Sequence, residues 1–201
     1  MVRALRSHRK GLWFESTHAH MNFVEKTKKY ALTLYKKDDF IHGRIHIIAV
    51  RDNALRLQKI LGGDKEVIEI AAYLHDCDYS KGIKKHTELS AIKAKKFLSS
   101  INYRKTKQAV EAIKNHSINS RKPKASLEAK ILFDADKIET IKPYGILRVA
   151  ITQKELPFRE MMEKIRIYCV DTYNKLYFDE TRKLAKKYYK KSKKILKWLK
   201  R

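Results

Sequence analysis

Four histidines and two aspartates occur along the 201-residue chain in the order His46, His75-Asp76, His86, His116, Asp136. Neutral imidazole and carboxylate are the side chains that hold a divalent ion while leaving positions free for water and a phosphate oxygen. Taken singly, each reads more readily as a hydrogen-bonded core histidine, a surface histidine or a local cap. What sets the group apart is placement: its members fall at the ends or inner faces of four separate amphipathic helices, beside apolar stripes.

Those helices follow from apolar spacing. Val67, Ile70, Ala71 and Leu74 lie at i, i+3, i+4 and i+7, the buried stripe of a helix over 65–75. His75 and Asp76 follow where the chain leaves that packed surface, so a rigid element delivers both. Over 43–61 the core stripe is Ile47, Val50, Ala54, Leu57 and Leu61, and Gly62-Gly63 supply the stop. His42, His46, Ala49 and Asn53 share the neighbouring stripe. A helix over 104–116 carries Val110 and Ile113 to His116. One over 125–140 has Leu127, Ile131, Ala135 and Ile138 as core, with Asp136 beside them. Further helices are expected over 20–37, 88–100 and 157–199, with Thr87 and Ser126 as start residues. The stretch SINSRKPKAS, directly after His116, reads as a loop at the mouth of the site, with Arg121, Lys122 and Lys124 available to phosphate oxygens.

The order of the six residues, with the local strings HIIAVRDNA, AAYLHD, HTELSA, IKNHS and ILFDADKIE, resembles the HD-domain metal-dependent phosphohydrolases over roughly residues 38 to 150. The resemblance implies an all-α fold, a compact HD-domain helical bundle, with His46, His75, Asp76 and Asp136 as metal ligands. His86 in H-x-x-x-S-A and His116 in N-H-S resemble the extra histidines of the subgroup that binds two metals, among them bacterial diadenosine tetraphosphate hydrolases. Asp76 would then be the bridging carboxylate. The implied reaction is hydrolysis of a phosphate ester or phosphoanhydride, with a nucleotide as the expected substrate, by a metal-activated hydroxide. The expected cofactor is one or two divalent transition-metal ions, and ligands without thiolate suit Mn, Fe, Co, Ni or Zn alike.

The chain also departs from the family pattern. Many members have arginine three residues after the first histidine, where this chain has Ala49, and many continue the doublet as H-D-x-x-K, where this chain has Tyr79. Lys81, two residues later, is either a phosphate contact acting with His75 and Asp76 or a solvated loop lysine, and Lys84 and Lys85 are further rim charges. In F-D-A-D-K-I-E the pattern favours Asp136, and Asp134 points about 200° away around the helix.

Composition frames the rest. Forty-seven Lys and Arg against 22 Asp and Glu give a net charge of +25, a field that attracts polyanions without naming one. Residues 181–201 hold eleven of the basic residues and no acid. Leu184, Tyr188, Ile195 and Leu199 form one stripe there, so the segment reads as a basic amphipathic helix. Packing of that stripe on the domain is the default, with nucleic-acid contact and membrane-surface binding as alternatives. The expected organisation is an N-terminal segment and first helix over 1–37, the HD domain over 38–150 and a basic helical extension over 151–201. Cys77 and Cys169 are the only cysteines and form no C-x-x-C, which argues against thiolate zinc and fits a cytoplasmic protein. No apolar run approaches ~18 residues, so no membrane span is expected. His18 and His20, at i and i+2, do not share a helix face and stay outside the site. The competing function is a nucleic-acid-binding protein with a structural or vestigial metal site.

Overall fold

Asp64 opens the helix around which the bundle is built. Its carboxylate accepts from the amides of Glu66 (3.1 Å) and Val67 (3.2 Å), satisfying two of the free N–H groups at a helix start. Every residue from Glu66 to Leu74 of the helix Lys65–Leu74 is buried. The computed structural model describes residues 23–36, 39–82 and 85–199. In chain order the helices are α1 (23–34), α2 (Arg44–Leu61), α3 (Lys65–Leu74), α4 (His86–Ser100), α5 (Thr106–Lys114), α6 (Leu127–Ile141), α7 (Pro143–Thr152), α8 (Phe158–Asn174) and α9 (Asp179–Trp198). A 3₁₀ turn, Ile118–Ser120, lies between α5 and α6. Among the described residues there is no strand, and no helix is long and apolar enough to cross a membrane.

α6 is the second central element, buried continuously from Ile131 to Glu139. α2 packs against both α3 and α6, α5 against the same two, and α4 covers α5. The polar residues inside α6 are each given a partner, as burial requires. Asn53 Nδ2 donates to Glu139 Oε1 at 2.7 Å and ties α2 to α6. The Asp134 carboxylate accepts from the amides of Tyr177 (2.8 Å) and Phe178 (3.1 Å), which fastens the turn between α8 and α9 to the core. Asp134 is therefore a structural anchor, as its place around the helix from Asp136 implied.

Three expectations change. α7 was not foreseen: Pro143 fills its first position, where the missing amide costs nothing. A Cβ on Gly145 would lie 2.3 Å from the carbonyl oxygens of Glu139 and Thr140, so glycine alone lets α7 fold back this tightly on the end of α6. The block expected over 157–199 is two helices with a break at 175–178. And α4 begins at His86 rather than 88, without a side-chain cap from Thr87. Ser126 does cap α6, accepting from the amide of Ala129 at 3.2 Å.

The C-terminal helices are woven into the core. Leu176 and Ala185 belong to the main apolar cluster, with Leu184 and Tyr188 packed against it, while Ile146, Ile165, Cys169 and Leu196 join α7, α8 and α9 in a second cluster. The buried stripe of α9 is Thr181, Ala185, Ser192 and Leu196, one residue round from the expected one, and Ile195 is exposed. Small residues at 185 and 192 permit the close approach, and Ser192 Oγ donates to the Ile141 carbonyl at 2.6 Å. The expected helix start at 20, His18 and His20 lie outside the described residues.

Candidate metal centre

Five helices converge on Asp76. His46 comes from the first turn of α2, His75 and Asp76 from the exit of α3, His86 from the first residue of α4, His116 from just beyond α5 and Asp136 from the middle of α6. All six are buried. The two oxygens of Asp76 face different partners. Oδ2 lies 3.4 Å from His75 Nε2 and 3.6 Å from His46 Nε2, whereas Oδ1 lies 3.1 Å from His116 Nε2 and 3.8 Å from His86 Nε2. Asp136 Oδ1 completes the first side, 3.5 Å from His46 Nε2. Three overlapping triads, His46/His75/Asp76, His75/His116/Asp136 and Asp76/His86/His116, each present ligand atoms within 4.8 Å of one another.

The donor set fits a cation. His75 Nδ1 contacts the Ala72 carbonyl at 2.9 Å and His116 Nδ1 the Ile113 carbonyl at 2.6 Å. A carbonyl can only accept, so each Nδ1 carries the proton and each neutral Nε2 presents a lone pair. Those lone pairs face the Asp76 carboxylate, and His75 Nε2 is buried without a hydrogen-bond partner. His116 Nε2 also lies 3.2 Å from His86 Nε2. Converging lone pairs in a buried site are repulsive until a cation lies between them.

Electrostatics agree. Burial works against charge on Asp76, yet His75, His116 and His46 hold its carboxyl well below the usual range. Burial likewise opposes charge on Asp136, and Lys137 with His46 and His75 outweighs it, so this carboxyl is also depressed. Burial pushes His46 and His75 down, toward the neutral imidazole that binds metal. Both directions favour the forms that bind a cation, the ionised carboxylate and the neutral imidazole.

The ligands lie at the floor of a cavity of about 330 Å³. Tyr79 forms one wall, its ring between those of His42 (centroids 3.6 Å) and His86 (4.6 Å). Burial, then Asp76 and Asp136, push its phenol up, so it stays protonated. Ser117 and Asn119 line the mouth after α5, and Tyr168 and Asp171 of α8, with Lys175 just past its end, form another wall. Lys81 is exposed and is not among the lining residues. The lysine at the carboxylates is Lys137, whose Nζ reaches Asp136 Oδ2 at 2.5 Å. Burial works to lower Lys137, but Asp136 prevails and its pKa rises. Lys85 is exposed, and Lys84 lies outside the described residues. Arg121 does not reach the cavity: its guanidinium lies over the Tyr177 ring at 3.9 Å and donates to the Lys175 carbonyl. The 117–126 loop borders the mouth with its neutral residues instead. Cys77 is a bystander, its thiol pushed up to about 12 by burial.

Sequence reasoning missed Lys137, Arg148 and the α8 wall. Lys137 had a signal in its place next to Asp136. Arg148 had one only through α7, for which Pro143 was the available start mark.

Residues 43–141 match the HD domain family. Among solved structures, the chain is similar to Bacillus subtilis YpgQ in complex with ADP, with 18% identity, 90% of this chain and 94% of that chain covered, and a TM-score of 0.72. An HD-superfamily hydrolase from Bacillus thuringiensis aligns at 20% identity over 89% of this chain and 95% of its own, TM-score 0.65. A predicted HD superfamily hydrolase from an uncultured Thermotogales bacterium aligns at 23% identity over 89% and 90%, TM-score 0.60. At this coverage the shared fold extends past residue 141 into the C-terminal helices. None of the curated proteins matches the sequence.

Proposed function

We propose that this chain is a divalent-metal-dependent phosphohydrolase that cleaves a phosphate ester or phosphoanhydride of a nucleotide. The observation that carries the reading is the Asp76 carboxylate, with one oxygen turned to His46 and His75 and the other to His86 and His116. His46, His75, Asp76 and Asp136 would hold one ion, and Asp76, His86 and His116 a second. Bound divalent ions supply Lewis acidity, lowering the pKa of a water and neutralising charge on phosphate oxygens. The chain does the rest. α2 to α6 fix the ligand atoms, Asp136 and Lys137 keep each other charged, and Tyr79 stacks on the His86 ring. A nucleotide is supported by the size of the cavity and by the fold likeness to a protein solved with ADP.

The test is elemental analysis of protein purified without a histidine tag, followed by turnover of a nucleotide and phosphodiester panel with added Mn²⁺. One to two transition-metal ions per chain and hydrolysis of at least one nucleotide are expected. Metal near zero after reconstitution with Mn²⁺ or Fe²⁺ removes the reading. Nucleic-acid binding is a second reading, favoured by α9, on which the eight lysines from 183 to 197 are all exposed.

A further inference from the structure

Among the described residues three lysine or arginine side chains line the cavity, and two are already neutralised. Lys137 is paired with Asp136, and Lys175 with Asp171 at 2.7 Å. The third, Arg148 on α7, is 8% exposed and forms no ion pair with any described carboxylate. Its Nη2 donates to the Ile41 carbonyl, its Nη1 lies 2.6 Å from His46 Nδ1, and its Nε is buried with no hydrogen-bond partner among the described residues. A buried guanidinium without an anion is costly, and a planar fork of donors lining a cavity matches the oxygens of a phosphate.

The contact with His46 adds a constraint. A guanidinium can only donate, so His46 Nδ1 accepts from it and, in a neutral ring, the proton sits on Nε2. A metal ligand needs the lone pair of that same Nε2, which faces Asp76 and Asp136. Arg148 on His46 and a metal ion on His46 are therefore alternatives.

We propose that Arg148 is the phosphate-binding residue of this cavity: it leaves His46 when the metal site fills and turns its fork to the non-bridging oxygens of the substrate phosphate. This assignment rests on the metal-dependent phosphohydrolase reading. It makes metal binding and substrate binding cooperative, because one releases the donor the other uses.

The experiment is calorimetric titration of the wild type, Arg148→Met and Arg148→Lys, first with Mn²⁺ and then, on the loaded proteins, with AMP and with adenosine. Arg148→Met keeps the wild-type Mn²⁺ stoichiometry and binds it at least as tightly. Its affinity for AMP falls roughly 10- to 100-fold while that for adenosine is unchanged. Arg148→Lys recovers part of the loss, since lysine brings charge without the fork. Unchanged AMP affinity in Mn²⁺-loaded Arg148→Met and Arg148→Lys overturns the proposal, and so does an equal loss for adenosine. Loss of Mn²⁺ from both variants also overturns it, by making Arg148 a support for His46. Wild-type protein that takes up no Mn²⁺ sinks the metal reading and this proposal with it, an outcome distinct from unchanged AMP affinity in Mn²⁺-loaded variants.

Discussion

At the scale of single residues, Asp76 is the side chain the centre can least spare, because its two oxygens serve two histidine pairs at once. Asp76→Ala is expected to abolish metal retention and to lower nucleotide hydrolysis by more than about 100-fold, beyond the effect of losing an outer-shell partner. His116→Ala touches one side only. It should reduce bound Mn²⁺ from two ions toward one and leave hydrolysis weak at most, with elemental analysis and turnover read on the same samples. Two ions retained in that variant would end the two-metal assignment. The six candidate ligands were legible in the sequence through their order, their place at the ends or inner faces of helices, and the family resemblance of the strings around them. Arg148 was not, because nothing in G-I-L-R-V-A says that an arginine a hundred residues from His46 will meet its imidazole. Lys81 shows the converse: closeness in sequence to His75 and Asp76 did not bring it to the cavity.

Helices supply the next level, and their polar anchors can be tested apart from the chemistry. Asp134 holds the amides of Tyr177 and Phe178 from inside α6. Asp134→Ala removes the acceptor from two part-buried amide donors, at a cost of about 1 kcal/mol each. Thermal unfolding should show that loss while Mn²⁺ affinity of the folded protein stays unchanged. A fall in metal affinity with intact stability would make Asp134 a ligand after all. At the other end of the bundle, Asp64 caps α3 and pairs with Lys105 at 2.7 Å. Burial works to raise Asp64, but Lys105 and the amides of Val67 and Glu66 more than offset it, so the folded carboxyl titrates below its ordinary value. A depressed carboxylate stabilises the fold above its unfolded pKa, and that contribution disappears as pH falls through the folded pKa. Asp64→Ala should therefore cost about 0.5–2 kcal/mol near neutrality. The difference from wild type should shrink below pH ~4. An Asp64→Ala penalty that stays constant down to pH 2 would contradict it. Helices with strong stripes were readable to within a few residues, as α2 and α3 show. α7 was hidden because Pro143 is a helix start and Gly145 a close approach of two backbones, and neither role shows in an apolar stripe.

For the whole molecule the open question is what a net charge of +25 is for. Truncation before residue 181, the obvious way to remove the basic helix, would remove Ala185 and Leu196 from the two apolar clusters and Ser192 from the Ile141 carbonyl. Such a protein should unfold, and its failure would say nothing about polyanions. Packing of α9 and contact with nucleic acid are in any case compatible, because one face is buried while the lysines are on the other. The membrane alternative is weaker, since most of the apolar side of α9 is spent on the core and little is left to insert into lipid. The informative change is Lys183→Gln, Lys187→Gln, Lys190→Gln and Lys194→Gln together, on the exposed face. Surface substitutions of this kind should leave each site's stability within about 0.5 kcal/mol. Hydrolysis of a mononucleotide should stay within a few-fold, because the cavity residues are untouched. If this face binds duplex, the log-log slope of affinity against salt should become shallower by about 0.9 for each phosphate contact removed. An unchanged slope would assign the lysines of α9 to solvation and leave the nucleic-acid reading without support, while the chemistry of the Asp76 centre would stand as before.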